Sequence, residues 1–494
     1  MKKRMYGYFM LCLSLILVLS ACSSSSPEQP KPSDAGASTK EKTLPPVELS
    51  WYLPGNPQTD IASVEKAVND YIQPKINATL KISMIPSASY PEKMNTLLAS
   101  NEALDLLWTA NYSFLYENNA KKGAFTELSK LLPQYAPNLQ KSLPALAWED
   151  SKLQGELYAV PNYQIAAKVY GFSVQKRYVD KYGLDTSKIK TFKDLEPFLD
   201  KIKQNEPNAI PYTASTSFRY QMYGYTGVND TTFYKSGDKS YKVVELVDTP
   251  EYLEFHKMLH DWYTKGYINK DIATADNSAN LTAGKIVSKF DQTLKPGGEF
   301  EEKLKNGGND VVYIPLSAPE FTGVQATMTA ISRTSKNPER AMMFLELVNT
   351  DSTLFNILAY GVEGKHYEKM ADNKVKVKKD GGYVYTGWRI GNVMNGYLLD
   401  GQADNTWELT KKMNETAVVP EIFGFKFDSS NVKAEVANVA AVRKEFMAAI
   451  ETGTVDPNEY VPKYREALKK SGNDKILAEQ QKQLDAWLKE KGKK

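Results

Sequence analysis

VELSWY at residues 47–52, TLKISM at 79–84 and LDLLW at 104–108 decide the fold. Each is a short run, apolar throughout or at alternate positions, that is typical of a β-strand. Apolar residues recur at helical spacing between these runs, which predicts helices over 61–73 and 91–98. A β-α-β-α-β order predicts an α/β fold whose parallel sheet carries helices on both faces.

Aromatic and amide side chains follow the first and third of these strands. Ligands of parallel sheets bind at the carboxyl ends of the strands. We therefore predict a binding site formed by Trp51, Asn56, Trp108, Asn111 and Tyr112. Trp51 and Trp108 have an alternative interpretation, because tryptophan often fills the core between a sheet and its helices.

The first 46 residues have the pattern of a secreted lipoprotein. Three basic residues open the chain, an almost wholly apolar run covers 9–19, and LSAC follows at 19–22. This pattern predicts a signal peptide over 1–21 and a lipid on Cys22. Residues 22–46 contain too few large apolar side chains to fold, so we predict a disordered tether. The expected location is the extracellular face of the cell membrane, to which the lipid anchors the protein.

Charge and aromatic content narrow the ligand classes. The chain has 62 Lys and Arg against 59 Asp and Glu, and the three basic residues of the signal peptide account for the whole excess. A nearly neutral mature protein lacks the positive surplus typical of nucleic-acid binding. Its 30 tyrosines and seven tryptophans instead favour flat, weakly polar ligands such as sugar rings.

Cysteine and histidine content restricts the chemistry further. Cys12 is the only cysteine besides Cys22 and leaves with the signal peptide, which excludes disulfides and cysteine nucleophiles. His256 and His260 lie four residues apart in a helical pattern and can both face a metal ion. The alternative is an amphipathic helix with the histidines beside its apolar stripe. We predict no metal and no cofactor.

Several separated segments resemble one family. SKLQGELYAVP at 151–161 and TAISRTSKNPERA at 329–341 resemble hinge-crossing segments of family 1 extracellular solute-binding proteins. YGVEGKHY at 360–367, TGWRIGN at 386–392 and AEQQKQLDAW at 478–487 are similar to the LipO/LplA-like lipoproteins, which carry a DUF3502 C-terminal region.

The resemblance implies a type II periplasmic-binding-protein-like fold with two lobes and three hinge crossings. The first lobe is expected over 47–161 and 287–328, and the second over 162–286 and 329–494. Such a protein closes over a sugar-like solute and delivers it to the permease subunits of an ABC importer. We expect a monomer that carries out no reaction on its ligand.

Two candidate residues lie at the expected crossings. Tyr163 follows the first crossing segment and is expected in or beside the hinge. Asp291 follows the β-like run 285–288 and is expected near the cleft floor, where a carboxylate accepts hydrogen bonds from sugar hydroxyls. Its alternative is a surface loop residue beside the Pro-Gly-Gly turn at 296–298.

Four further candidates are expected on the second lobe. The resemblance implies that Trp388 presents a stacking ring, and Asn392 lies four residues later. Arg219 and Tyr220 belong to an aromatic-rich loop that is typical of a binding rim. Arg219 suits a carboxylate-bearing oligosaccharide, although a salt bridge within its own lobe is the alternative.

The alternatives to sugar capture are a glycoside-active enzyme and a peptide receptor of the same fold. The sequence has no GxSxG, P-loop or dinucleotide fingerprint, and no pair among its many carboxylates is marked as a glycosidase pair. A peptide is the alternative ligand for the same fold, and the sequence alone does not separate it from a sugar.

Overall fold

The computed structural model describes residues 44–214, 218, 220–229, 231–274, 277–384 and 387–493. The predicted signal peptide, Cys22, most of the predicted tether and Arg219 lie outside the described residues. The strands are β1 (Val47–Pro54), β2 (Ala78–Ile85), β3 (Leu106–Thr109), β4 (Lys152–Leu153), β5 (Glu156–Leu157), β6 (Ala159–Pro161), β7 (Ala167–Lys168), β8 (Gly171–Gln175), β9 (Ile210–Thr213), β10 (Tyr225–Gly227), β11 (Thr232–Lys235), β12 (Val244–Glu245), β13 (Ile286–Asp291), β14 (Val311–Pro315), β15 (Glu320–Phe321), β16 (Met328–Ile331), β17 (Tyr367–Lys369), β18 (Lys374–Val377) and β19 (Leu398–Leu399).

The α-helices are α1 (Ile61–Ile76), α2 (Tyr90–Ala99), α3 (Tyr116–Lys121), α4 (Leu131–Tyr135), α5 (Pro137–Ser142), α6 (Ala145–Ser151), α7 (Lys176–Tyr182), α8 (Glu196–Asn205), α9 (Pro250–Lys265), α10 (Asn277–Thr282), α11 (Gly298–Lys305), α12 (Pro338–Thr350), α13 (Ser352–Tyr360), α14 (Thr406–Glu415), α15 (Lys433–Glu451), α16 (Pro457–Lys470) and α17 (Asn473–Glu490).

The first sheet has the strand order β2-β1-β3-β16-β6. β1 is parallel to β2 and to β3, with Trp51 opposite Ile82 of β2. Val64 and Val68 of α1 are fully buried in the core of this lobe. The predicted β-α-β-α-β order is confirmed. α1 extends to Ile76, past its predicted end, although Pro74 lacks a backbone N–H to donate within the last turn.

The second sheet has the order β14-β8-β13-β9. β13 is parallel to β9 and antiparallel to β8, so this sheet is mixed. Its core is rich in aromatic rings, with Phe172 of β8 packed edge-on against Phe192 at 4.8 Å. The C-terminal helices α15 and α16 add Val439 and Tyr464 to the same core. These elements form the second lobe.

Three chain segments connect the two lobes. The first runs from β6 to β8 and contains β7, the second runs from β14 to β16 and contains β15, and the third links α14 to α15. β7 pairs antiparallel with β15, which places Lys168 opposite Glu320. Glu320 also forms a parallel bridge with Val418 of the third segment. The three crossings therefore meet side by side and form the hinge.

These pairings correct the predicted lobe boundaries. β14 and all of β13 except Ile286 lie within 287–328, which was expected in the first lobe, yet they belong to the second sheet. α12, α13 and all of β16 except Met328 lie within 329–494, which was expected in the second lobe, yet they belong to the first sheet and its core. A short apolar strand looks the same in sequence whether it crosses between lobes or completes a sheet, so the predicted return crossing at Asp291 was wrong.

Candidate functional site

The carboxyl edge of the first sheet is the part of the fold where a ligand is expected. β1 ends at Pro54 and β3 at Thr109, and both strands point toward this edge. Asn56 and Asn111 follow these strands and are exposed. Their amide groups are therefore accessible to a ligand that lies across the strand ends.

Three aromatic side chains form a cluster at this edge. Trp108 is almost fully buried and contacts Tyr112 edge-on, with ring centroids 6.0 Å apart. It also contacts Trp388 edge-on, with ring centroids 6.4 Å apart. Tyr112 is 61% exposed and Trp388 is half-buried. We call these three residues the aromatic cluster; its central ring supports two outer rings that solvent can reach.

A hydrogen-bonded network holds the cluster in place. Trp108 Nε1 donates to Thr327 Oγ1 at 2.8 Å, which fixes the central ring. Asn162 Nδ2 donates to the same hydroxyl at 3.0 Å and to the carbonyl oxygen of Arg389 at 2.7 Å. Asn162 Oδ1 accepts a hydrogen bond from Thr329 Oγ1 at 3.0 Å. The segment that carries Trp388 is thereby tied to the first crossing.

Arg389 lies next to the aromatic cluster. Its guanidinium carbon is 4.6 Å from the centroid of the Trp388 ring, and its Nη1 donates to the carbonyl oxygen of Pro54. Gly55 makes room for it, since a Cβ on this residue would lie 2.4 Å from Nη1. Burial lowers the pKa of Arg389.

Trp51 is not part of this surface. Its side chain is fully buried and packs edge-on against Phe344 of α12, with centroids 5.4 Å apart. The prediction that Trp51 lines the ligand site was wrong. The alternative interpretation, a tryptophan between the sheet and its helices, describes its position.

Tyr163 and Asn392 are also buried. The Tyr163 hydroxyl accepts a hydrogen bond from Asn414 Nδ2 at 3.2 Å, and burial raises the pKa of this phenol. Asn392 Oδ1 accepts from the backbone N–H of Met394 at 3.1 Å and caps a short 3₁₀ turn. Tyr163 follows β6 at the start of the first crossing, as expected, but both side chains are buried against structural partners and are not accessible for the predicted ligand contact.

Tyr220 and Asp291 lie on the second lobe and have partners there. The Tyr220 ring packs on Phe233 with centroids 4.1 Å apart. Asp291 accepts a hydrogen bond from the backbone N–H of Thr293 at 2.9 Å and pairs with Lys289 Nζ at 3.3 Å. The Asp291 carboxylate therefore organises its own loop, which is the alternative that the sequence left open.

A cavity of about 700 Å³ lies between the lobes, and none of the predicted site residues lines it. Phe300 of the second lobe contacts Gly401 of the first, where a Cβ would lie 2.4 Å from the ring. Gly297 approaches Thr406 of α14 in the same way. The lining residues are Val169, Leu294, Lys295, Pro296, Gly297, Glu299, Phe300, Tyr313, Pro315, Ser317, Pro319, Gly401, Gln402, Ala403, Leu409 and Met413. In the sequence, the one feature that pointed to this region was the Pro-Gly-Gly turn at 296–298.

A smaller cavity of about 260 Å³ lies at the opposite edge of the first sheet. Val47 and Ala78, at the amino ends of β1 and β2, belong to its lining. Amino ends of parallel strands are not where such sheets bind ligands. We therefore place the candidate site at the carboxyl edge and in the cavity between the lobes.

The two helical histidines point to different partners. His256 is buried and its Nδ1 lies 2.7 Å from the carbonyl oxygen of Tyr252. His260 Nδ1 lies 2.9 Å from the carbonyl oxygen of Gly453. Across the described ranges, no group of three or more His, Cys, Asp or Glu side chains is arranged to hold a metal ion. Over the same ranges, no helix is both long and apolar enough to span a membrane.

Comparison with known families places the chain. Residues 55–353 match the model of the bacterial extracellular solute-binding proteins, and residues 421–489 match a domain of unknown function, DUF3502. A carbohydrate ABC transporter substrate-binding protein of Streptococcus pneumoniae serotype 4 is 31% identical over 490 residues, which cover 97% of each chain. Lipoprotein LipO of Bacillus subtilis is 23% identical over 397 residues, or 74% of this chain and 75% of its own. The chain belongs to the bacterial extracellular solute-binding proteins.

Solved structures show the same fold. The N-glycan transport solute-binding protein NgtS of S. pneumoniae superposes with a TM-score of 0.80 at 30% identity, over 90% of this chain and 100% of that one. Its complex with Man5GlcNAc, over 90% and 99%, gives a TM-score of 0.67 at 31% identity. The alginate-binding protein AlgQ2, at 17% identity and a TM-score of 0.59, shares the fold over 90% of this chain and 99% of its own.

Proposed function

We propose that this protein is the solute-capturing subunit of an ABC importer and that it binds an oligosaccharide against the aromatic cluster. The observation that carries the proposal is the arrangement of Tyr112 and Trp388 on either side of Trp108, with both outer rings accessible at the carboxyl edge of the first sheet.

Carbohydrate suits such a surface for a physical reason. Sugar rings present C–H groups on their faces and hydroxyls around their rims. The faces bury apolar area against aromatic rings, which is favourable at about 25 cal/mol per Å². The hydroxyls need hydrogen-bonding partners, and the exposed amides of Asn56 and Asn111 follow the strands at the same edge.

The relatives support a carbohydrate ligand over a peptide. The S. pneumoniae relative is named as a carbohydrate transporter protein and aligns with 97% of this chain. The structural neighbour NgtS is an N-glycan transport protein, solved in complex with Man1GlcNAc and with Man5GlcNAc. We extend this ligand class, oligosaccharides, to the present chain without assigning a particular sugar.

Capture is proposed to proceed by closure of the two lobes. Three crossings that meet at β7, β15 and Val418 allow one lobe to rotate against the other as a rigid body. A ligand shifts that equilibrium only if it contacts the two states differently. The cavity between the lobes, bounded on one side by Phe300 and on the other by Gly401, supplies surface that changes on closure.

The proposed anchor is a lipid on Cys22, with residues 22–46 as a tether at the extracellular face of the membrane. The protein is proposed to act as a monomer that docks on the permease subunits and leaves its ligand chemically unchanged. Support comes from the LSAC segment at 19–22 and from the similarity to lipoprotein LipO. Replacing Cys22 by serine is expected to release the protein from the membrane fraction into the medium.

Ligand titration tests the proposal. The mature chain from residue 23 onward would be titrated with neutral, amino-sugar and acidic oligosaccharides and with short peptides, while tryptophan fluorescence and melting temperature are followed. A saturable response to one oligosaccharide class is expected, with the ligand recovered intact by mass spectrometry. A response to peptides alone would refute the carbohydrate assignment, and recovery of shortened sugar products would show an enzyme.

A further inference from the structure

Arg389 differs from two other partly or fully buried arginines, Arg340 and Arg443, in how little the described residues satisfy it. Arg340 is buried, and its Nη1 donates to the carbonyl oxygens of Pro45, Ile76 and Asn77. Arg443 is paired with Glu245 at 2.6 Å. These two cations have either several carbonyl acceptors or a carboxylate.

The guanidinium of Arg389 has one acceptor from the described residues, the carbonyl oxygen of Pro54. The Arg389 Nε atom is buried and has no hydrogen-bonding partner among the described residues, and no described carboxylate forms an ion pair with the guanidinium. Tyr112 is the titratable side chain whose electrostatic interaction affects the pKa of Arg389, and a neutral phenol does not balance a cation. Arg389 therefore retains donors and an uncompensated charge.

The position of Arg389 makes these free donors relevant to the ligand. Its guanidinium lies over the Trp388 ring and beside the end of β1, between the aromatic cluster and the exposed residue Asn56. A ligand stacked on Trp388 would come within reach of the group. Covering a half-buried cation with a neutral ligand removes water from a charge without replacing it, which is unfavourable.

We propose that Arg389 binds a carboxylate of the ligand and that the preferred ligand is an acidic oligosaccharide, one that bears a uronic or sialic acid. This inference rests on the proposed function, because it assigns the ligand class of the same site. The planar guanidinium matches a carboxylate in two parallel hydrogen bonds and supplies the charge that the site lacks. The sequence had assigned this role to Arg219, which lies outside the described residues.

The experiment compares acidic ligands with neutral counterparts of the same sugar length. The mature chain would be titrated by calorimetry with trigalacturonate and with 3′-sialyllactose, each beside its neutral methyl ester. We expect at least one acidic member to bind roughly 10- to 100-fold more tightly than its neutral counterpart, as a charge-assisted hydrogen bond predicts. In Arg389→Gln this preference should disappear, because the acidic member loses the partner of its carboxylate and the neutral member no longer covers an unpaired cation.

The control is Arg333→Gln, which removes the same charge from an exposed position of the first lobe and should leave the preference intact. Equal binding of acidic and neutral members by the unmodified protein would overturn the inference and leave the proposed function standing. An equal loss for both members in Arg389→Gln would also overturn it, since the arginine would then serve hydroxyl groups. Absence of binding to any sugar, acidic or neutral, would refute the proposed function itself. Because the charge preference is read first in the unmodified chain, the inference is tested even if the variant fails to fold.

Discussion

Replacing Trp388 by alanine is the sharpest test of the aromatic cluster. A tryptophan side chain buries roughly 200 Å² when it is fully covered, and at most about a third of that area remains for a ligand because Trp388 is already partly buried. Covering roughly 70 Å² at about 25 cal/mol per Å² contributes about 1.8 kcal/mol at most. The dissociation constant of the bound oligosaccharide should therefore rise up to roughly 20-fold in Trp388→Ala.

Calorimetry measures this change, and Trp148→Ala provides the matched control. Trp148 is also half-buried in the first lobe, but it lies on α6 and its Nε1 donates to the carbonyl oxygen of Gln140 at 3.0 Å, away from the cluster. Both variants should fold, as judged by circular dichroism, and the control should bind as the unmodified chain does. If Trp388→Ala binds sugar with unchanged affinity, the cluster is not the stacking surface. If both variants lose affinity equally, the effect comes from reduced stability.

Three further predictions concern other parts of the molecule. Trp51→Ala should lower the free energy of unfolding by about 3–5 kcal/mol because it empties the core beside Phe344, and urea denaturation measures this; a loss below about 1 kcal/mol would contradict the burial. Burial lowers the pKa of His256 to about 4, so the unfolded chain binds more protons between that value and about 6.5, and stability should fall by up to about 3 kcal/mol as the pH drops through this range. His256→Gln should lose this dependence and His260→Gln should keep it, as read from urea midpoints at several pH values. Gly401→Val should clash with Phe300 and weaken sugar binding at least several-fold by opposing the contact between the lobes, whereas unchanged affinity would show that this contact plays no part in closure.

Local patterns in the sequence predicted the first strands and helices of the first lobe and the cellular location of the protein. The strands and helices between Val47 and Trp108 follow from apolar spacing, because a strand that is buried on both faces and an amphipathic helix leave different periods. The same reasoning placed Asn56, Asn111 and Tyr112 at the carboxyl edge. The LSAC segment depends on local chemistry alone and predicts the lipid at Cys22 without any fold.

The resemblance to solute-binding proteins supplied what periodicity does not. It implied two lobes, three crossings and a stacking role for Trp388, which the structure places against Trp108 although 280 residues separate them. Spacing in the sequence has no bearing on such a pair, because their contact depends on how the chain returns to the first lobe after β14. The same long-range return of the chain is the reason that the predicted lobe boundaries at 287 and 329 were wrong.

Tertiary structure alone decided which similar residues share a function. Trp51 and Trp108 both occupy parallel strands of one sheet, yet the first packs against Phe344 of α12 and the second contacts the exposed ring of Tyr112 and the partly exposed ring of Trp388. Arg340 and Arg389 differ in the same way, since only packing determines how many carbonyl oxygens surround a guanidinium. The sequence thus determined the elements and the class of protein, because these depend on local periodicity and on motifs. The partners of each buried or half-buried side chain depend on contacts between distant segments, and only the folded chain decides them.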